Sequence, residues 1–330
     1  MKILVLGGTA WLGHETARAA VAAGHDVTCL ARGTDIPAGA ALVRADRDVD
    51  DALAPVRDTE WDAVIDVARQ PGQVRRAVRD LAAVAGRFIF VSTGNVYAEQ
   101  EQIGADENAA RLAPLGGDSY ESPDDYGAAK VAGEDAVLVG FGAGRSVIAR
   151  AGLIGGPGDP SGRSTYWPWR FARPSNPGGG VLVPDAPELP VAVIDVRDLA
   201  SWLVLCAETG AHGIFNAMGF PVPFPHHLEV ARIATGQTRE LVAVSEAWLA
   251  EHGVQEWSGP KSLPLWVTDR TWYGFNARSN ARAIDAGLVL RPLGETLADA
   301  LAWRLAQPAD VPLAAGLTDA EERELLASLR

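Results

Sequence analysis

The first half of this 330-residue chain is predicted to form a doubly wound α/β domain on a parallel sheet, with a smaller domain interleaved with it. Three observations predict this. Short, wholly apolar runs alternate with helix-like stretches, a glycine-rich turn joins the first strand to the first helix, and the alternation breaks near Ala151. Continuous apolar strands alternating with helices are what a parallel sheet covered on both faces requires.

Taken in order, residues 3–6 are the first strand, ending at Gly7-Gly8, and residues 12–23 are helical in composition, stopping at Gly24. Residues 27–30 and 41–43 read as the second and third strands. A short acidic helix is expected before the strand at 63–67, and a helix at 74–85 after it. Residues 88–91 form another apolar strand, 124–140 a helix and 146–149 a further strand. Beyond Ala151, residues 155–160 and 174–180 are rich in Gly and Pro and read as long loops. Residues 191–196 read as a strand returning to the sheet, and 198–208 as a helix. These breaks predict a larger domain of residues 1–152 plus 190–218. The smaller, substrate-binding domain is then 153–189 plus 219–330.

Composition narrows the function. Hydrophobic residues make up 48% and charged residues 22%, as in an ordinary soluble globular protein. With 29 Lys+Arg against 42 Asp+Glu, the net charge of −13 disfavours nucleic acid and anionic membranes as partners. Cys29 and Cys206, the two cysteines, fall in an apolar strand and a helix, and read as buried thiols of a reducing compartment. No apolar run is long enough to span a bilayer, and the strand directly after Met1 leaves no room for a signal peptide. The expected location is therefore cytoplasmic. His226-His227, beside prolines, read as solvent-facing, and no metal-ligand spacing occurs.

The turn Gly7-Gly8-Thr9-Ala10-Trp11-Leu12-Gly13 is the first piece of chemistry. Glycines at a strand–helix junction allow a tight turn and close backbone approach. The helix N-terminus then offers free N–H groups and a positive dipole end to a diphosphate. Strand before and helix after are the context that gives such a motif weight. A second motif is Tyr126-Gly127-Ala128-Ala129-Lys130, whose Tyr and Lys lie four apart on one helix face. A free phenol titrates near ~10, and a neighbouring ammonium lowers that value toward the useful range. Upstream, an apolar strand exits through Ser92-Thr93-Gly94-Asn95-Val96-Tyr97.

Together these motifs resemble the extended short-chain dehydrogenase/reductases, a Rossmann-fold family that includes NAD-dependent epimerases and dehydratases. Residues 150–157 and 194–200 extend the resemblance, which covers about residues 2–217. Gly7 and Gly13 match the first and third glycines of the family's turn. Ala10 replaces the middle one, as in an atypical branch of the family.

The resemblance implies that Gly7, Gly8, Thr9, Ala10, Trp11, Leu12 and Gly13 cradle a dinucleotide, with Asp46 near its adenine and Ser92 and Lys130 also in contact. It further implies that Tyr126 exchanges the substrate proton, Thr93 orients the substrate oxygen and Lys130 tunes Tyr126. The place of the acidic residue that takes the ribose hydroxyls in NAD-specific members is held by Ala31, followed by Arg32. Losing that carboxylate and gaining Arg32 predicts a preference for NADP, with NAD second.

Two family chemistries are disfavoured. Gly94 and Asn95 stand where dehydratases carry an acidic pair, and Leu153 stands where sugar-nucleotide epimerases usually carry Asn. The expected function is therefore an NAD(P)-dependent oxidoreductase acting on a small alcohol or carbonyl compound. The alternatives are a sugar-nucleotide epimerase that retains NAD, and a non-catalytic cofactor-binding or regulatory protein. Tyr166, Trp167, Trp169, Trp248, Trp257, Trp266, Trp272, Tyr273 and Phe275 would suit an aromatic ligand or form a core. Arg163 and Arg170 could meet an anionic group. A homodimer through surface helices of the first domain is common in the family.

Overall fold

A computed structural model describes residues 1–176, 179–238, 240–308, 311 and 313–329. The chain divides into two compact units. The first comprises Met1–Gly152, Val196–Met218 and Arg278–Val289; the second comprises Leu153–Asp195, Gly219–Ala277 and Leu290–Arg330.

The first unit is a Rossmann-type α/β fold around a seven-stranded sheet. In chain order its strands are β1 (Lys2–Leu6), β2 (Asp26–Ala31), β3 (Ala41–Arg44), β4 (Ala63–Asp66), β5 (Phe88–Thr93), β6 (Ser146–Ala151) and a last strand, Gly213–Ala217. Across the sheet the order runs Gly213–Ala217, β6, β5, β4, β1, β2, β3, and every pairing is parallel. All strands therefore exit along one edge, and the order reverses between β1 and β4, the position where open α/β sheets bind ligands. Every residue of β4, β5 and β6 is buried, which explains the apolar runs 63–65, 88–91 and 147–149 within them. The helices of use below are α1 (Trp11–Ala22), α2 (Pro71–Leu81) and α3 (Tyr126–Phe141).

Several expectations are corrected. Residues 191–196 do not return to the sheet: Val193–Asp195 pairs with Leu153–Gly155 in the second unit. The strand that closes the sheet is Gly213–Ala217, paired with β6. The expected boundary at residue 190 thus moves to Val196, and Arg278–Val289 joins the first unit from far along the chain. No acidic helix precedes β4. Residues 48–59 run as turns, with Pro55 removing a backbone donor. Leu53, Val56 and Trp61 of this region pack into the core, and Trp61 Nε1 donates to Val56 O at 3.0 Å. Among the described residues, no helix is long and apolar enough to cross a membrane.

The second unit surrounds an apolar core that includes Leu153, Tyr166, Trp167, Phe171, Phe224 and Trp266. Tyr166, Trp167 and Trp266, offered above as ligand-facing or core, are therefore core, while Trp272 is exposed. Arg170 is buried and spent within the unit: it donates to Asp319 Oδ1 at 2.6 Å and to Leu317 O, and pairs with buried Glu322 at 3.3 Å. Arg163 lies over the Trp257 ring at 5.0 Å.

His227, expected in solvent, is 0% exposed on the helix Phe224–Ala234. Neither ring nitrogen has a hydrogen-bond partner. Burial, with a smaller contribution from His226, pushes its pKa down to about 4. The unfolded chain takes up this proton near pH ~6.5 while the fold resists it, so stability falls as the pH drops through that window. Between pH 7.5 and 5 the loss from this residue is about 2 kcal/mol by linkage. His227→Leu is expected to flatten that part of the stability–pH curve in urea titrations. An unchanged slope would contradict the assignment.

Candidate active site

The loop after β1 is shaped by contacts that exclude side chains. Gly7 has φ +91°, and a Cβ on it would lie 2.7 Å from Val67 Cγ2. A Cβ on Gly8 would meet Cys29 Sγ at 2.5 Å, and one on Gly13 would lie 2.1 Å from Gly7 O. Backbone cannot yield at that last contact, so Gly13 is required for α1 to sit against the turn. Ala10 is different. It caps α1 with φ −79° and ψ 151°, ordinary for any L-residue, and it is exposed. The missing middle glycine is therefore no obstacle to the turn's conformation. No side chain caps α1, and the positive end of the helix dipole lies at its first turn. This turn fits a diphosphate. Thr9 underlies the next crossover, since a Cβ on Gly33 would touch Thr9 Oγ1 at 2.8 Å. Leu12 is buried and Trp11 half-buried.

At the exit of β2, Arg32 is 71% exposed, with a guanidinium nitrogen 3.9 Å from both Asp46 and Asp48. Asp46 itself accepts from the Asp48 amide at 3.1 Å. Between them, Arg47 turns inward and grips Asp66 at the end of β4 with two bonds of 2.6 and 2.8 Å. Asp66 also accepts from the Ala68 amide at 2.8 Å, which fixes the β4 exit.

Tyr126 and Lys130 open α3 on one face. Lys130 is 2% exposed, and its Nζ donates to Ala68 O and Val91 O at 2.6 Å each. It stands 6.0 Å from the centre of the Tyr126 ring. Burial is the main cause that lowers its pKa to about 7. A carbonyl just beyond β4 and one within β5 thus hold this nitrogen beside the Tyr126 ring, and in its charged form it retains a third N–H. Thr93, the last residue of β5, donates to Asn95 Oδ1 at 3.0 Å and accepts from the Asn95 amide at 3.3 Å. A Cβ on Gly127 would lie 2.2 Å from Asn95 O, so that glycine lets the loop after β5 pack directly on the start of α3. Thr93, Tyr126 and Lys130 are thereby gathered at the edge where the sheet's strands exit.

Ser92 does not join this group. Its hydroxyl turns inward and donates to Glu134 Oε1 at 2.6 Å. Glu134, wholly buried, forms a two-bond pair with Arg150 at 2.8 and 2.9 Å. Arg150 also donates to Tyr97 Oη at 2.9 Å, and Tyr97 donates to Asn216 Oδ1 at 2.6 Å. This network anchors β5, β6 and α3 behind the site.

Sequence reasoning missed Asp66, Arg47, Asn95, Glu134 and Arg69, whose guanidinium lies 5.4 Å from the Tyr126 ring centre. A carboxylate closing the apolar run Val64-Ile65-Asp66 was the available signal for the first of these.

The family model described as "NAD dependent epimerase/dehydratase family" matches residues 3–217. Among solved structures, the chain is similar to the UDP-N-acetylglucosamine 4-epimerase of Bacillus cereus, with TM-score 0.69 and 16% identity over 95% of this chain and 99% of that one. It is also similar to the Bacillus cereus UDP-glucuronic acid 4-epimerase in complex with NAD, with TM-score 0.67 and 15% identity over 96% and 100%. The UDP-glucose 4-epimerase of Thermotoga maritima, with UDP-glucose, gives TM-score 0.65 and 18% identity over 92% and 99%. At these identities the likeness is one of fold. No protein of curated function matches the chain.

Proposed function

The chain belongs to the NAD-dependent epimerase/dehydratase family, and from that premise we propose that it is an NAD-dependent enzyme catalysing hydride transfer at a carbinol or carbonyl carbon. The single observation that carries this is Lys130, a buried lysine whose Nζ is fixed between two main-chain carbonyls and faces the Tyr126 ring. Burying an amine that can carry charge is costly, and a phenol that must take and return a proton accounts for placing one here. The nicotinamide ring, when bound, supplies the hydride acceptor and donor. Tyr126 moves the proton on the substrate oxygen, Lys130 favours the phenolate, and Thr93 orients the oxygen. Thr93 spends its own proton on Asn95 before substrate arrives.

For the cofactor we read NAD where the sequence favoured NADP. Arg32 stands between Asp46 and Asp48, so this corner carries a net negative charge, which opposes a 2′-phosphate. Titration of the purified protein with both cofactors is expected to give NAD at least tenfold tighter. Equal or tighter binding of NADP would overturn this reading.

Reversible oxidoreduction is the leading outcome, because Leu153 is buried in an apolar core and offers nothing to a nucleotide sugar. The similarity to 4-epimerases favours epimerisation as the second reading. Denaturing the purified protein separates the two. Release of about one dinucleotide per chain, with no turnover of added cofactor, identifies an epimerase. Freely exchanging cofactor identifies an oxidoreductase.

A further inference from the structure

Arg69 follows Ala68 at the exit of β4, and its guanidinium lies 5.4 Å from the ring centre of Tyr126 and 5.9 Å from that of Tyr120. The two rings are 5.7 Å apart, tilted 57° to each other, and both lie beside it. Among the described residues no hydrogen bond or ion pair engages this guanidinium. Its neighbours behave differently. Arg47 is paired with Asp66, Arg75 and Arg76 with Asp118, and Arg79 with Asp50 and Asp80. Asp124 and Asp125 directly precede Tyr126 in the chain, yet neither pairs with Arg69. In a chain of net charge −13, an arginine held by two ring faces with its donors unspent stands out.

We propose that Arg69 receives an anionic group of the substrate, so that the compound transformed at Tyr126 is a hydroxy or oxo acid bearing a carboxylate or phosphate close to the reacting carbon. This rests on the dinucleotide-dependent reading above. A guanidinium is a planar fork of donors that matches carboxylate and phosphate oxygens two at a time. Stacking on the two tyrosines orders it in advance, so less freedom is lost on binding. The overall negative field of the protein repels an anion, and a local cation beside the phenol is what would overcome it. Val67, two residues earlier, turns its side chain toward Gly7 of the phosphate turn. Arg69 instead reaches the tyrosine, which directs it to substrate and away from the diphosphate.

Calorimetry on the full chain tests this with defined probes. NAD is titrated first into wild type and Arg69→Gln, and the NAD-loaded proteins are then titrated with oxalate, with malonate and with inorganic phosphate, using sodium chloride as the ionic-strength control. The expected result is NAD binding unchanged within twofold and saturable binding of one anion class, weakened at least tenfold by Arg69→Gln and partly retained by Arg69→Lys. Binding of oxalate or malonate identifies an acid of the carboxylate kind, and binding of phosphate a phosphate ester. Absence of saturable anion binding, or equal binding by Arg69→Gln, overturns the proposal. So does a tenfold loss of NAD affinity in Arg69→Gln, which would assign Arg69 to the cofactor. Failure of wild type to bind NAD at all would instead sink the functional reading, and this proposal with it.

Discussion

Tyr126→Phe is expected to lower turnover about a thousandfold, the middle of the range for losing a positioned proton-transfer group. Only the hydroxyl is removed. The ring remains to support Tyr120 at 5.7 Å and Arg69 at 5.4 Å, and Lys130 keeps its two carbonyl acceptors. Cofactor affinity by calorimetry is therefore expected to stay within twofold of wild type, and thermal stability to be nearly unchanged. Turnover would be followed by dinucleotide absorbance, on whichever compound of an alcohol and carbonyl panel the wild type consumes. Activity within tenfold of wild type would mean that the proton travels elsewhere, and the assignment of Tyr126 would fall.

The largest stability effect is expected at Arg150→Met. Glu134 is wholly buried, and Arg150 supplies two of the bonds that hold its carboxylate. Without Arg150, Glu134 keeps, among the described residues, only Ser92 and the part-exposed Arg111, at 2.6 and 3.0 Å. Tyr97 also loses a donor to its hydroxyl. Breaking a buried pair by removing one partner costs about 3–5 kcal/mol, since a charge is left uncompensated. The double variant Glu134→Leu/Arg150→Met removes both charges and is expected to recover much of that loss. Denaturant titration of wild type, Arg150→Met, Glu134→Leu and the double variant checks this. A single-variant cost below about 1 kcal/mol, or a double variant equal to the sum of the singles, would show that the pair is not the anchor described here.

The features legible in the sequence share one property: each depends on residues close together in the chain. The glycines of the turn after β1 are local, because the ban on a Cβ at Gly7, Gly8 and Gly13 arises within one strand–turn–helix unit and the strand beside it. Tyr126 and Lys130 are local as well, since one helical turn alone places them on a shared face. The buried strands could be read from their apolar runs for the same reason. The failures are contacts between segments that only folding brings together. Arg47 and Asp66 lie 19 residues apart, and nothing in either neighbourhood signals a partner. Ser92 carries the right hydroxyl in the right motif, but the burial of Glu134 and Arg150 behind it draws that hydroxyl inward.

His227 follows the same logic, because neighbouring prolines suggested solvent while the packing of its helix buried it. The strand at 193–195 is locally indistinguishable from one belonging to the main sheet, and only its pairing with Leu153–Gly155 assigns it to the second unit. The amino-acid sequence by itself determined the fold class, the tight glycine turn after β1 and the shared helix face of Tyr126 and Lys130, because short-range sterics and helical periodicity are written into consecutive residues. Tertiary structure alone decided which charges are paired, which are buried, and that Arg69 stands beside Tyr126. Those outcomes depend on the distance between segments and on the exclusion of water, and both exist only once the chain has folded.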